Sequence, residues 1–231
     1  MVEWPMRKKD YLKGIEIIHE DRDILVVDKP AGLLTIATDR ENEKTAYHIL
    51  TDYVRKGYHK SSRRIFIVHR LDRDTSGLLV FAKDERAKFA LQSRWDETEK
   101  KYLAVVYGRL ARASGVITSY LAENEARIVY STRDRSAGKF STTAYKVLKA
   151  SGDLSLLEID LVTGRKNQIR VHFAEQGHPV VGDRKYGYRD SACKRMALHA
   201  WWISFLHPWS GKRMTLKTDV PGYFEQLVGR W

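Results

Sequence analysis

Ile65 to Asp84 reads IFIVHRLDRDTSGLLVFAKD, and the rest of the chain is interpreted outward from it. Its two apolar runs, Ile65–Val68 and Leu78–Ala82, are short and rich in β-branched and aromatic residues, the pattern of buried strands. Between them lies His69-Arg70-Leu71-Asp72-Arg73-Asp74-Thr75-Ser76-Gly77, with five ionisable side chains in nine residues. Charges so close to a core must pair or take part in chemistry, because burying them unpaired is costly. Asp72 is flanked by Arg70 and Arg73, which would favour its ionised form. A carboxylate held ionised beside a core is a plausible nucleophile. An ion-paired hairpin loop fits the same spacing, and the local sequence alone favours that simpler reading.

The chain has 231 residues, 43% of them hydrophobic, enough for one sizeable core or two small lobes sharing a sheet. Lys and Arg number 41 against 29 Asp and Glu, a formal charge of +12. That excess points to a polyanionic partner, with RNA or DNA the default. The single cysteine, Cys193, excludes an internal disulfide and a cysteine-based zinc cage. The first residues hold no apolar run long enough for a signal peptide, and no stretch could span a membrane, so a soluble cytoplasmic protein is expected.

Met1 to Gly14 is polar and basic, and is read as an N-terminal arm or an added surface strand ahead of a catalytic body over residues 15–231. Ile15–His19 and Ile24–Asp28 form a hairpin by composition, ended by Lys29-Pro30-Ala31-Gly32. Thr45 to Lys56 has helical apolar spacing and stops at Gly57. Lys60, Arg63 and Arg64 then make a basic loop, a candidate edge for RNA phosphates. Asp84 stands where a helix N-cap belongs, before an apolar stripe of Ala87, Ala90 and Leu91. Residues 102–107, 116–121, 126–131, 141–149 and 154–161 read as strands. Arg133 to Lys139 is expected to be an exposed hairpin tip, with Arg135 and Lys139 in reach of an RNA backbone. Asn167 to Gln176 reads as a helix with Ile169, His172, Phe173 and Gln176 on one face. Many strands and few helices, without regular βαβ alternation, give an α+β class.

HRLD-x-x-TSGL resembles the central signature of the RluA-type family of pseudouridine synthases. DRDILVVDKPAGLLT (21–35), KKYLAVVYG (100–108), LVTGRKNQIRVH (161–172), GHPVVGDRKYG (177–187) and ALHAWWISFLHP (197–208) resemble that family's other segments, in its order. The resemblance implies a long, mixed, mostly antiparallel sheet in two halves, with flanking helices and a central cleft. It also implies an isomerase that converts uridine to pseudouridine in structured ribosomal or transfer RNA. A monomer with no metal and no organic cofactor is expected. The catalytic aspartate falls on Asp72, its arginine partner on Arg170, and the tyrosine that lies against uracil on Tyr102. Arg70 matches the residue that fills the space of the flipped base, Leu71 anchors its loop, Ile169 walls the uracil pocket, and Arg165 is retained in the same segment as Arg170. Where many relatives read TGRTHQ, this chain has Thr163-Gly164-Arg165-Lys166-Asn167-Gln168. Asn167 is itself a good N-cap, so helix initiation should survive the change.

Two other enzyme classes fit the composition less well. A glycoside hydrolase needs one carboxyl protonated near neutrality, and Arg70 and Arg73 oppose that for Asp72 and Asp74. A metal-dependent nuclease needs a denser set of ligands than His69 and Asp72. The remaining alternative is an RNA chaperone or ribosome-assembly factor with this fold and little or no isomerase activity.

Overall fold

The computed structural model describes residues 11–37, 45–58, 60–188 and 193–231. It divides into two compact units, Met1–Trp95 with Leu206–Thr218, and Asp96–Phe205 with Asp219–Trp231. Most of the expected arm, residues 1–10, lies outside the described residues.

The first unit begins with β1 (Tyr11–Leu12), β2 (Ile15–Glu20) and β3 (Ile24–Lys29). Lys13 and Gly14 both have positive φ, 49° and 87°, the geometry of a two-residue turn that matches strand twist. After β3 come α1 (Ala46–Arg55), β4 (Phe66–Ile67), β5 (Ser76–Ala82) and α2 (Glu85–Ser93). The strand order is β1-β2-β3-β5, with β4 also on β5, and these pairs are antiparallel. All seven residues of β5 are buried, including the uninterrupted apolar run Leu78–Ala82 and the polar Ser76 ahead of it. α2 starts at the cap expected for it, Asp84, and α1 starts after Thr45, where its apolar spacing placed it. Thr45 Oγ1 accepts from His48 N, and Asp84 Oδ1 accepts from Ala87 N at 2.7 Å. Lys56 and Gly57, both at positive φ, stop α1.

The second unit contains β6 (Glu99–Tyr107), β7 (Ser114–Glu123), β8 (Val129–Thr132), β9 (Lys139–Ser151), β10 (Leu154–Leu161), α3 (Gln168–Glu175), β11 (Leu198–Leu206) and α4 (Tyr223–Val228). β12 (Arg213–Lys217), between β11 and α4 in the chain, belongs to the first unit. The order in the second unit is β11-β6-β10-β9-β7-β8, again antiparallel. Register assigns its faces. Tyr102 pairs with Ile159, Ile159 with Tyr145, and Tyr145 with Gly115, so their side chains share one face. On that face Phe173 of α3 meets Tyr145 edge-on at 5.6 Å, and His172 Nδ1 lies 2.9 Å from Thr143 Oγ1. The opposite face carries Leu103, Val105 and Leu156, packed against Phe224 and Val228 of α4.

Two expectations are corrected here. The strand expected at 126–131 begins only at Val129, because a turn closed by Arg127 N on Asn124 O uses Ala126 to Ile128, with Arg127 at φ 58°. The Arg133–Lys139 connection is not a hairpin. Both β8 and β9 pair with β7, on opposite sides, so the connection crosses over β7. Gly138 permits that crossing, since a Cβ there would stand 2.8 Å from both Tyr120 Cβ and Thr132 Cγ2.

Candidate active site

In the first unit, the Asp72 loop begins where β4 ends and a side chain takes over the ladder. His69 Nε2 accepts from Val80 N at 3.0 Å, and the imidazole stacks on Trp95 at 4.7 Å. Gln92 Nε2 donates to Ile67 O and Val68 O on the same approach. Leu71 is buried, as an anchor should be, and its backbone N and O both bond Thr35 Oγ1. Asp72 is half-buried, and its carbonyl accepts from Thr75 N. Arg70 and Arg73 are exposed, and Arg73 Nε donates to Gly32 O at 3.2 Å.

The strongest fastening of this loop comes from Lys29, to which the sequence reading gave no role. Its side chain is fully buried, and Nζ donates to Pro30 O at 2.9 Å, Leu33 O at 2.8 Å and Arg73 O at 3.0 Å. Burial pushes the ammonium down to about 7, against the opposing pull of Asp74, Asp72 and Asp28. The cationic surroundings of Asp72 therefore include a buried lysine as well as the flanking arginines.

In the second unit Tyr102 is buried on β6, on the sheet face that α3 covers. Ile169 and Arg170 are buried on α3, so Arg170 is not an exposed helix residue. Its Nε donates to Asp183 Oδ2 at 2.7 Å and its Nη2 to Asp183 Oδ1 at 2.8 Å, a bidentate fork. Burial raises the Asp183 carboxyl, but the Arg170 bonds and charge, with Lys185 N and Tyr186 N, bring it below its ordinary value. Gly182 has φ +75° and precedes Asp183. A Cβ on Gly182 would fall 2.1 Å from Arg195 O.

Asn167 does not cap α3, contrary to expectation. It sits at φ 54° in the left-handed region and makes no side-chain cap bond. Its Oδ1 instead accepts from Tyr186 OH at 3.2 Å. Helix initiation survives through Gln168, whose Oε1 accepts from Arg165 N and Thr163 Oγ1. Gln176 is exposed, off the buried face expected for it. The helix closes with Gly177 N on Ala174 O and His178 N on Phe173 O, a Schellman pattern.

Arg165, Lys60, Arg63, Arg64, Arg135 and Lys139 are all exposed. Arg64 reaches Glu85 at 3.4 Å and covers Phe66, Arg135 lies over Tyr120, and Arg165 Nε donates to Phe140 O. Among the described residues, Asp21, Asp23 and His207 place possible metal donors within 4.8 Å of one another. The Asp21 carboxylate there accepts from Asp23 N, Ile24 N and the rings of His19 and His207, which is the work of a turn cap. Burial raises that carboxyl, yet these bonds hold it well below the usual range.

The sequence profile described as RNA pseudouridylate synthase matches residues 23–175, which include the Asp72 loop, Tyr102 and Arg170. The chain belongs to the RNA pseudouridylate synthase family. Its reaction is the isomerisation of uridine in RNA. A ribosomal large subunit pseudouridine synthase C from Buchnera aphidicola is 33% identical to this pseudouridine synthase, over 96% of this chain and 71% of that protein. A Vibrio cholerae protein of the same name is 32% identical, over 92% and 68%. Among solved structures, human RNA pseudouridylate synthase domain containing 1 is similar at TM-score 0.74 and 26% identity, covering 96% of this chain and 89% of that one. Human RNA pseudouridylate synthase domain containing 4 also reaches TM-score 0.74, at 22% identity over 90% and 89%. The pseudouridine synthase fold expected from the sequence is thereby established.

Lys29 and Asp183 are the two side chains of this synthase that residue-by-residue reading passed over. Each lies inside a quoted motif, DKPAG and GDRKYG. The available signals were a lysine next to Pro-Ala-Gly, where backbone carbonyls turn inward, and an aspartate just after a glycine.

Proposed function

We propose that this synthase isomerises specific uridines in structured ribosomal or transfer RNA, acting as a monomer in the cytoplasm with Asp72 as its catalytic carboxylate. The target base is stacked in folded RNA and must first be swung out into a pocket. The bond from the sugar C1′ to N1 of uracil then breaks, the base turns, and C1′ rejoins at C5; the C5 proton passes to solvent and N1 takes one up, so the product is an isomer of the substrate. Asp72 attacks C1′ or the base, or assists a glycal intermediate; all three routes need an ionised carboxylate in a closed pocket. Arg170 pairs with that carboxylate, Tyr102 lies against the uracil, and Ile169 walls its pocket. Arg70 occupies the space of the flipped base and Arg165 contacts the substrate. Lys60, Arg63, Arg64, Arg135 and Lys139 contact phosphates.

The observation that carries this reading is the retention of Asp72 on a loop pinned from Lys29, Gly32 and Thr35. Such fastening lowers the reorganisation needed to present the carboxylate. The test is a chemical map of pseudouridine in total RNA from cells with the gene, without it, and with Asp72→Asn. A site lost in both altered strains, with RNA binding by Asp72→Asn retained, is the expected result. Modification by Asp72→Asn at the wild-type rate would remove Asp72 from the mechanism. No missing site would favour RNA binding without isomerisation.

A further inference from the structure

We propose that the open edge of β7, over residues 114–119, takes up an extended acidic segment of another protein as an added strand, with alternate side chains of that segment seated in an adjoining cavity. The inference goes beyond the reading of Asp72, does not depend on it, and concerns the second unit alone.

β7 has a neighbour on both sides over only part of its length. β9 pairs with residues 114–121, whereas β8 pairs only with residues 120–123. The direction of the remaining peptide groups follows from the register. Val147 N donates to Ala113 O at 2.7 Å, so Ala113, Gly115 and Ile117 turn their amides and carbonyls toward β9. Ser114, Val116 and Thr118 turn theirs the other way, where β8 has not begun. All three residues are exposed, and among the described residues these backbone groups have no hydrogen-bond partner.

Natural sheets blunt such an edge with charge, proline, a bulge or shortness. Ser114-Gly115-Val116-Ile117-Thr118-Ser119 has neither charge nor proline, and its ladder with β9 runs without a register shift. Val116 is 64% exposed on it. Strands elsewhere in the chain are protected: β1 has two residues, and β12 carries Arg213 and Lys217 at its ends. Six residues span about 20 Å, enough to pair with another backbone. Donors and acceptors that alternate at the strand repeat match an extended polypeptide, whereas a nucleic-acid backbone has no matching row of amide donors.

The cavity beside this edge supplies specificity. Its volume is about 450 Å³, and it is bounded by residues 115–118, Arg112, Tyr145, Gln176 and His178. An added strand would project every second side chain on the face of Gly115 and Ile117, where α3 lies, and so into this space. The floor is the Tyr145 ring, which lies across the bare backbone of Gly115; a Cβ there would stand 2.9 Å from the ring. The polar groups of the wall are unspent. The Arg112 guanidinium and the Gln176 amide have no partner among the described residues. His178 Nδ1 donates to Tyr107 O at 2.8 Å, which leaves Nε2 as an acceptor. Arg112 is the charged side chain of this wall, on a chain of formal charge +12, so the complementary ligand is acidic.

The test is selection of peptides by the full chain from a phage-displayed random decapeptide library, followed by synthesis of the enriched sequences. They should contain Asp or Glu and alternate apolar with polar residues. With peptide bound, amide hydrogen exchange of the wild type should slow at least tenfold at Val116 and Thr118. Gly115 and Ile117 should not change, because β9 already holds them. Val116→Pro removes one outward donor and leaves the β9 ladder intact, so it should weaken the peptide at least tenfold. Arg112→Ala should weaken it about tenfold, and both variants should isomerise an RNA that the wild type modifies within twofold of its kcat/KM. The exchange measurement needs no variant, so it decides the matter if Val116→Pro does not fold. No enriched peptide, protection confined to residues outside 114–118, or full peptide affinity in both variants would overturn the inference. Lower RNA affinity in Arg112→Ala with peptide binding unchanged would also overturn it, and would assign the cavity to RNA.

Discussion

Replacing Lys29 by methionine separates what a buried cation costs from what it holds together. The ammonium donates to three carbonyls, those of Pro30, Leu33 and Arg73. Leaving a buried carbonyl without its donor costs roughly 1–3 kcal/mol, so losing Nζ from all three costs about 3–9 kcal/mol. Against this stands the cost of keeping the charge in a fully buried site. A shift from 10.5 to about 7 corresponds to roughly 5 kcal/mol. The difference leaves Lys29→Met less stable by about 2 kcal/mol at pH 7, a fall in Tm of about 4–8 °C. The pH dependence has a definite sign. The folded-state value lies below the unfolded one, so between pH 7 and 10.5 the unfolded chain binds more protons and the wild type gains stability as pH rises. The gap between wild type and Lys29→Met should widen by about 2 kcal/mol from pH 7 to 9. Urea unfolding at the two pH values measures it. The Asp72 loop keeps its bonds to Thr35 and Gly32, so activity per folded molecule should fall less than about tenfold. Equal stability of the two proteins at both pH values, or a gap that narrows as pH rises, would refute this account of the loop.

His199 is fully buried, and burial pushes its imidazole down to about 4. Unfolding then takes up a proton below the ordinary histidine range, so stability falls with acid. From pH 7 to 5 the wild type should lose about 2 kcal/mol more than His199→Gln, read from urea midpoints. Gly182→Ala places a Cβ 2.1 Å from Arg195 O at φ +75°. It should cost 3 kcal/mol or more and lower Tm by roughly 6–12 °C in calorimetry. Lys60→Ala and Arg63→Ala each remove one exposed cation, and should flatten the slope of log affinity against log salt by about 0.7–0.9 per residue in RNA titrations. Unchanged slopes would take that loop out of the RNA interface.

Much of the fold was legible because its signals are local. Thr45 and Asp84 cap the helices that their spacing announced, and Leu78–Ala82 of β5 is fully buried because that run is apolar throughout. The β8–β9 connection was misread because a polar, small-residue link looks the same whether it closes a hairpin or crosses a strand. Only the pairing of both strands with β7 separates the two. Asn167 was misassigned for a related reason. Asparagine suits both an N-cap and a left-handed residue, and Tyr186, nineteen positions away, decides between them. Asp72, Tyr102 and Arg170 are proposed as site residues through motif resemblance, whereas Lys29 and Asp183 drew no such reading. Lys29 joins two nearby carbonyls to that of Arg73, forty-four positions on, and Asp183 meets a guanidinium thirteen positions back, pairings that composition does not report.

The crossing over β7 has a consequence for how the second unit assembles. β8 follows β7 through a turn of five residues, so that pair can close early and by local search. β9 must then pass across the Tyr120 ring and add to the far edge of β7, beside a strand already in place. Amide protection in pulse-labelled refolding should therefore appear on the β8 side of β7 before it appears on the β9 side. A chain cut between Arg133 and Gly138 should still fold, because the scission removes a tether and leaves every rung of the ladder intact.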